Sequence, residues 1–137
     1  ENREHVSSNM TERALREIYL RGFEIAVREG HARGLMTSYN KVNGIYTSNS
    51  YDLITKVLRQ EWGFDGLVMT DWTATAKGKS DPALCMAAGN DLLMPGSSYD
   101  RKCIRQALRD GTLKKRDLNR CAGHVLTAIN ASCTARH

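Results

Sequence analysis

What this 137-residue sequence does not contain narrows its reading first. Its four cysteines, Cys85, Cys103, Cys121 and Cys133, stand eighteen, eighteen and twelve residues apart. That spacing fits neither a paired C-x-x-C metal site nor a dense disulfide scaffold, so free thiols are expected. The histidines, at positions 5, 31, 124 and 137, form no H-E-x-x-H or H-x-H pair, and none adjoins a candidate serine or cysteine nucleophile. No metal centre is expected from them. Neither G-x-G-x-x-G nor a P-loop occurs, which leaves phosphate cofactors without support, and no cofactor is expected. No apolar run approaches the roughly 20 residues of a membrane span, and the opening ENREHVSSNMTER lacks the basic and apolar regions of a signal peptide. A membrane partner is therefore not expected, and the compartment stays open. The formal charge of +5 comes from Lys and Arg interleaved with acids, as in RALREIYLRGFEIAVREG and RKCIRQALRDGTLKKRD. Solvated helix faces read this way; with no interleaved aromatic surface or binding motif, no nucleic-acid partner is expected. The N-x-[ST] triplets at Asn9 and Asn130 acquire meaning only in a secreted eukaryotic protein.

What is present is an alternation of helices and short apolar strands. From Thr11 to about Glu29, Leu15, Ile18, Tyr19, Gly22, Ile25 and Ala26 recur at helical spacing behind a polar stretch rich in N-cap candidates. Residues 34 to 39, GLMTSY, read as a short buried strand ending in the polar loop NKVNG. A helix from about 50 to 62 follows, with Leu53, Ile54, Val57 and Leu58 on one face. After the break at GFDG, Leu67 to Thr70 form a second strand whose polar end is Asp71-Trp72. A polar loop from 73 to 80, a short helix from about 82 to 88 and a third brief strand, Leu92 to Met94, come next. Helices from about 98 to 109 and 114 to 129 close the chain. Such alternation predicts the α/β class, with parallel strands covered by helices. A complete eight-fold barrel takes about 250 residues, and about three strand-plus-helix units are present. The expectation is a partial (β/α)8 barrel or a smaller free-standing sheet.

Functional groups in such folds gather at the C-terminal ends of strands. Asp71 directly follows an apolar strand, so its backbone is fixed by the sheet; it is either a catalytic carboxylate or a cap on the following segment. Trp72 beside it is a sugar-stacking face or a packing residue. Tyr39 is placed to orient a neighbouring carboxylate by hydrogen bonding, or to pack. Met36, read from its pattern alone, belongs to the core. Asp91, after Gly-Asn, reads equally as a turn acid or a ligand. Glu24 and Glu61 lie on helices and are not candidates for acid/base work.

TERALREIYLRGFEIAV, GLMTSYNKVNG, LRQEWGFDGLVMTDW and AAGNDLLMPG, in this order and spacing, resemble the β-glucosidase-like members of glycoside hydrolase family 3, over about residues 1 to 129. The resemblance implies that the chain is the C-terminal portion of a catalytic (β/α)8 barrel domain. It implies further that Asp71 is the nucleophile of a retaining mechanism with a covalent glycosyl-Asp intermediate, and that Trp72, Tyr39 and Met36 line the sugar pocket. Retaining enzymes pair the nucleophile with a second carboxyl about 5 to 5.5 Å away. By the resemblance, that group resides in a separate α/β-sandwich domain, and a sugar-holding Lys-His motif precedes the ENRE-like stretch. The partner expected is a carbohydrate, a terminal β-glucoside or a similar pyranoside such as a xyloside. The Asp-Trp dipeptide argues against the N-acetylhexosaminidase branch. An isolated partial barrel is expected to self-associate through exposed sheet edges, or to be a non-catalytic piece that binds sugar weakly.

Overall fold

The Thr11 hydroxyl accepts the Ala14 N–H at 3.2 Å, satisfying one of the donors that a helix leaves free at its start. The helical run that follows, in a computed structural model describing residues 2–132, consists of α1 (Glu12–Ala14), a π-helical turn at Leu15–Tyr19 and α2 (Arg21–Arg28). A short strand, β1 (Ser7–Ser8), precedes it. Then come β2 (Gly34–Thr37), β3 (Lys41–Val42), β4 (Ile45–Tyr46), a π-helix at Asp52–Glu61, β5 (Leu67–Thr70), α3 (Pro82–Ala88), α4 (Ser98–Arg109) and α5 (Lys115–Ala131).

Strands β2 and β5 pair in parallel, from Gly34 opposite Leu67 to Thr37 opposite Thr70. The pleat turns Leu35 and Val68 toward the helices. There Val68 joins Val27, Ile54, Leu58, Phe64 and Ala88 in one core cluster. A second cluster, Met86, Ala107, Leu113 and Cys121, holds α4 and α5 against α3. Gly66 sets how closely the two strands approach, because a Cβ there would lie 2.2 Å from the Arg33 carbonyl oxygen. The obstructing atoms are backbone and give little. Gly66→Ala is expected to destabilise the fold by about 3 kcal/mol, the upper range for overpacking, measured by urea titration.

The α/β class and the parallel pairing match expectation, but the third strand does not extend into a ladder. A single bridge joins Met69 to Leu92: the Val68 carbonyl accepts N–H groups from Asp91 and Leu92, and the Leu92 carbonyl accepts the Thr70 N–H. Pro95 brings no N–H to continue it. The loop expected at 40–44 is instead a hairpin, β3 and β4, turning at Asn43 (φ 49°) and Gly44 (φ 83°), the left-handed pair that tight hairpins favour. β1 adds to it in parallel. The helix at 52–61 is present, but wound so that the Trp62 N–H reaches the Val57 carbonyl, five residues back, at 3.0 Å.

Asp91 is neither a turn acid nor a ligand. Its side chain is completely buried. Oδ2 accepts from Arg59 Nη2 at 2.7 Å and from the Val68 N–H at 2.8 Å, while Oδ1 takes His124 Nδ1 at 2.7 Å. One carboxylate thus joins the π-helix, β5 and α5. Glu24 and Glu61 are engaged on helix surfaces, Glu24 with Arg21 and Arg28 and Glu61 with Arg16. Cys85, Cys103 and Cys121 are free thiols, as expected, and Cys133 lies outside the described residues. Burial pushes the Cys85 and Cys121 thiols up to about 11.

Candidate active site

The ends of β2, β5 and the 91–94 segment are knitted together by hydrogen bonds of the main chain and of the Thr70 hydroxyl. The Thr37 carbonyl accepts the Asp71 N–H at 3.2 Å, and Thr70 Oγ1 accepts the Met94 N–H at 2.9 Å. Asp71 therefore emerges from the C-terminal edge of the sheet with its backbone held on both sides. Its Oδ1 accepts the Trp72 N–H at 2.6 Å; among the described residues Oδ2 has no hydrogen-bond partner. Beyond it the chain bends sharply. Thr73 adopts φ 62°, a left-handed conformation that is costly for a β-branched residue and persists only where the surroundings enforce it. Its N–H on the Met94 carbonyl at 2.9 Å and its hydroxyl on the Trp72 carbonyl at 2.6 Å supply that enforcement. The bend leaves Trp72 56% exposed beside the carboxylate.

The Tyr39 hydroxyl donates to the Trp72 carbonyl at 2.5 Å. Its connection to Asp71 runs through the backbone of the next residue instead of directly to the carboxylate. Met36 lies opposite Met69 on the sheet face turned away from the core, and it is 56% exposed, which corrects the core reading drawn from its pattern. Tyr39, Trp72 and Asp71 are thus joined by hydrogen bonds, while Met36 stands one residue from Thr37, whose carbonyl holds Asp71.

Three charged residues that the sequence reading passed over complete the surroundings. The Arg3 guanidinium lies 5.2 Å from the Tyr39 ring centroid, Lys79 Nζ lies 6.0 Å from it, and Lys79 pairs with Glu4 at 2.7 Å. Hydrogen bonding from Lys79 holds the Glu4 carboxyl below its usual range, so it stays ionised and is unsuited to donate a proton. No local pattern marks Lys79 in the sequence; it reaches Tyr39 only once the 73–80 loop is folded. Among the described residues no cluster of His, Cys, Asp or Glu is arranged to hold a metal ion, and no helix is long and apolar enough to cross a membrane.

Removing the Tyr39 hydroxyl takes away one of the two donors on the Trp72 carbonyl and leaves that of Thr73, at a cost of about 1 kcal/mol in positioning. Tyr39→Phe is expected to slow covalent modification of Asp71 about tenfold while leaving the melting temperature nearly unchanged, read by mass spectrometry and calorimetry.

This geometry can be set beside known proteins. A model of the glycosyl hydrolase family 3 N-terminal domain matches residues 2–128. The chain belongs to that family. It is 47% identical over 135 residues to a β-glucosidase of Ruminococcus albus, covering 92% of this chain and 14% of that protein. It is 38% identical to an exo-α-(1→6)-L-arabinopyranosidase of Bifidobacterium longum, covering 98% of this chain and 17% of that one. Among solved structures, β-glucosidase 3B of Thermotoga neapolitana in complex with glucose aligns with a TM-score of 0.85 at 43% identity, over 94% of this chain and 19% of its own. The family-3 chain thus spans about one sixth of the length of such relatives.

Proposed function

We propose that this chain is the C-terminal portion of a (β/α)8 barrel domain in a retaining glycoside hydrolase acting on terminal β-D-glucosides or similar pyranosides, with Asp71 as its nucleophile. The observation that carries the proposal is the free Oδ2 of Asp71 at the C-terminal edge of the sheet, with the exposed Trp72 ring beside it. The similarity to a β-glucosidase solved with glucose supports the sugar class. The arabinopyranosidase relative shows that the same segment occurs in proteins named for a different sugar. Glucose is therefore the first substrate to try, and xylosides the next.

In the proposed reaction Oδ2 attacks the anomeric carbon as the glycosidic bond breaks and a second carboxylic acid protonates the leaving oxygen. That second group, now a carboxylate, then takes a proton from water, which displaces Asp71 and returns the sugar with its original configuration. Tyr39 orients the Asp71-Trp72 turn through its bond to the Trp72 carbonyl, and Trp72 offers the apolar face of its ring to the pyranose. The family resemblance implies that the second carboxyl comes from a separate α/β-sandwich domain, and Glu24, Glu61 and Glu4 of this chain are all engaged in ion pairs.

The test is incubation with a 2-deoxy-2-fluoro-glucoside bearing a dinitrophenyl leaving group, which needs little acid assistance, followed by peptide mapping. An adduct on Asp71 is expected. An adduct on another residue, or net inversion of anomeric configuration by the full-length enzyme in early-time NMR, overturns the proposal.

A second reading concerns the isolated chain. Among the described residues β2 has no strand on its outer side. Beside it runs an open groove of about 320 Å³ whose lining includes Leu15, Tyr19, Phe23, Leu35, Met36 and Trp62. An uncovered edge next to an apolar groove favours self-association, with the isolated chain assembling or binding sugar weakly without turnover. Sedimentation velocity is expected to show oligomers; a monodisperse monomer contradicts this reading.

A further inference from the structure

Among the described residues the Glu4–Lys79 pair is the direct tie between the 2–6 turn and the 73–80 loop; the turn is held to the β3–β4 hairpin separately, by the Lys41 N–H on the Val6 carbonyl at 2.9 Å and by His5 Nδ1, 3.3 Å from the Tyr46 hydroxyl. Glu4 belongs to a turn in which the His5 and Val6 N–H groups both reach the Asn2 carbonyl. That turn contributes no buried apolar side chain: Arg3 and His5 are exposed and Val6 is 43% exposed. Lys79, by contrast, stands on an anchored loop. Its neighbour Ser80 is buried with Oγ 2.6 Å from that of Ser48, and Ala74 and Thr75 of the same loop are buried. The Lys79 side chain is 19% exposed and that of Glu4 37%, so the pair is held from the Lys79 side while its carboxylate still meets solvent.

Charge arrangement adds an independent argument. Arg3 and Lys79 both lie against the Tyr39 ring, each attracted by its π face and each repelling the other. A carboxylate on Lys79 offsets that repulsion, and Glu4 adjoins Arg3 in the chain. The same contact thus lets two cations share one ring and ties the Arg3 side of the turn to the 73–80 loop.

We propose that Glu4 and Lys79 are positioning residues: their ion pair latches the 2–6 turn onto the loop that follows Asp71, and so holds Arg3 and Tyr39 in place at the mouth of the sugar pocket. This rests on the reading of Asp71, Trp72 and Tyr39 as a sugar site. Neither residue takes part in bond making. Their contribution appears in how well the pocket is preformed before sugar arrives, and hence in half-saturation more than in the rate at saturation.

The test uses Glu4→Gln, Lys79→Met, the double variant with both changes, and the charge swap Glu4→Lys with Lys79→Glu. Two quantities are read: the NMR resonances of the Tyr39 ring and the Arg3 Nε–H without sugar, and the concentration dependence of Asp71 labelling by the fluoro-glucoside. Each single change is expected to move both sets of resonances and to raise the half-saturating concentration about tenfold. The double variant should be no worse than either single one, and the swap should recover most of the loss, as expected of coupled partners. Resonances that stay fixed in both single variants, or effects that add and that the swap does not restore, overturn the latch. Failure of the unaltered protein to label at Asp71 counts against the sugar-site reading, and the resonance shifts still decide the latch by themselves.

Discussion

Asp71→Ala is expected to eliminate covalent labelling by the fluoro-glucoside and to lower turnover of a dinitrophenyl glucoside by the full-length enzyme by a factor on the order of 10⁴ or more, the scale on which loss of an enzymic nucleophile registers. Stability should change little. The carboxylate is half-buried, and among the described residues its one hydrogen bond is a local one from the Trp72 N–H. If Asp71 is the nucleophile proposed above, the substitution also opens a space the size of a carboxylate on the face from which it would attack the sugar. Added azide can attack from that side, and a single displacement on a β-glucoside then yields the α-glucosyl azide. Rate recovery with azide and the α product together identify the missing group as the nucleophile. A variant that retains the original turnover removes Asp71 from that role, whatever its effect on folding.

The largest effect on stability is expected at Asp91. Asp91→Ala removes the acceptor for Arg59, His124 and the Val68 N–H together, leaving the Arg59 guanidinium, whose side chain is 10% exposed, without its counter-charge. Breaking a buried pair from one side costs about 3–5 kcal/mol, and denaturant unfolding should show a loss in that range. Asp91→Asn presents one acceptor oxygen instead of two and should fall between. His124→Ala should cost only about 1–2 kcal/mol, since His124 is 27% exposed on that side chain and water can replace part of its bond. An unfolding midpoint unchanged in Asp91→Ala would show that this network does not hold the π-helix and α5 to the sheet.

Much of the secondary structure is legible in the sequence because its signals are local. β5 lies where an apolar run stops at Asp71, and α3 begins at Asp81-Pro82, where the aspartate accepts the Ala83 and Leu84 N–H groups, and ends at Gly89 with φ 113°. α4 starts at a Ser97–Asp100 capping box. Asp71 and Trp72 stood out for the same reason, their position at a strand end. The Asn43-Gly44 turn was equally local, but its hairpin depends on two-residue strands too short to show an alternation.

Sequence by itself therefore determined the α/β class, the helix positions and the place of Asp71-Trp72 at the end of a strand, all of which follow from neighbours a few residues apart. Tertiary structure decided the partner of Tyr39, the exposure of Met36, the burial of Asp91 among Arg59 and His124, the reduced third strand, and the meeting of Glu4 with Lys79. Each of these is fixed by the register of β2 on β5 and by where distant segments come to lie against that pair. A hydrogen bond or ion pair between residues far apart in the chain leaves no periodicity behind, because the side chains involved need only reach one another in space.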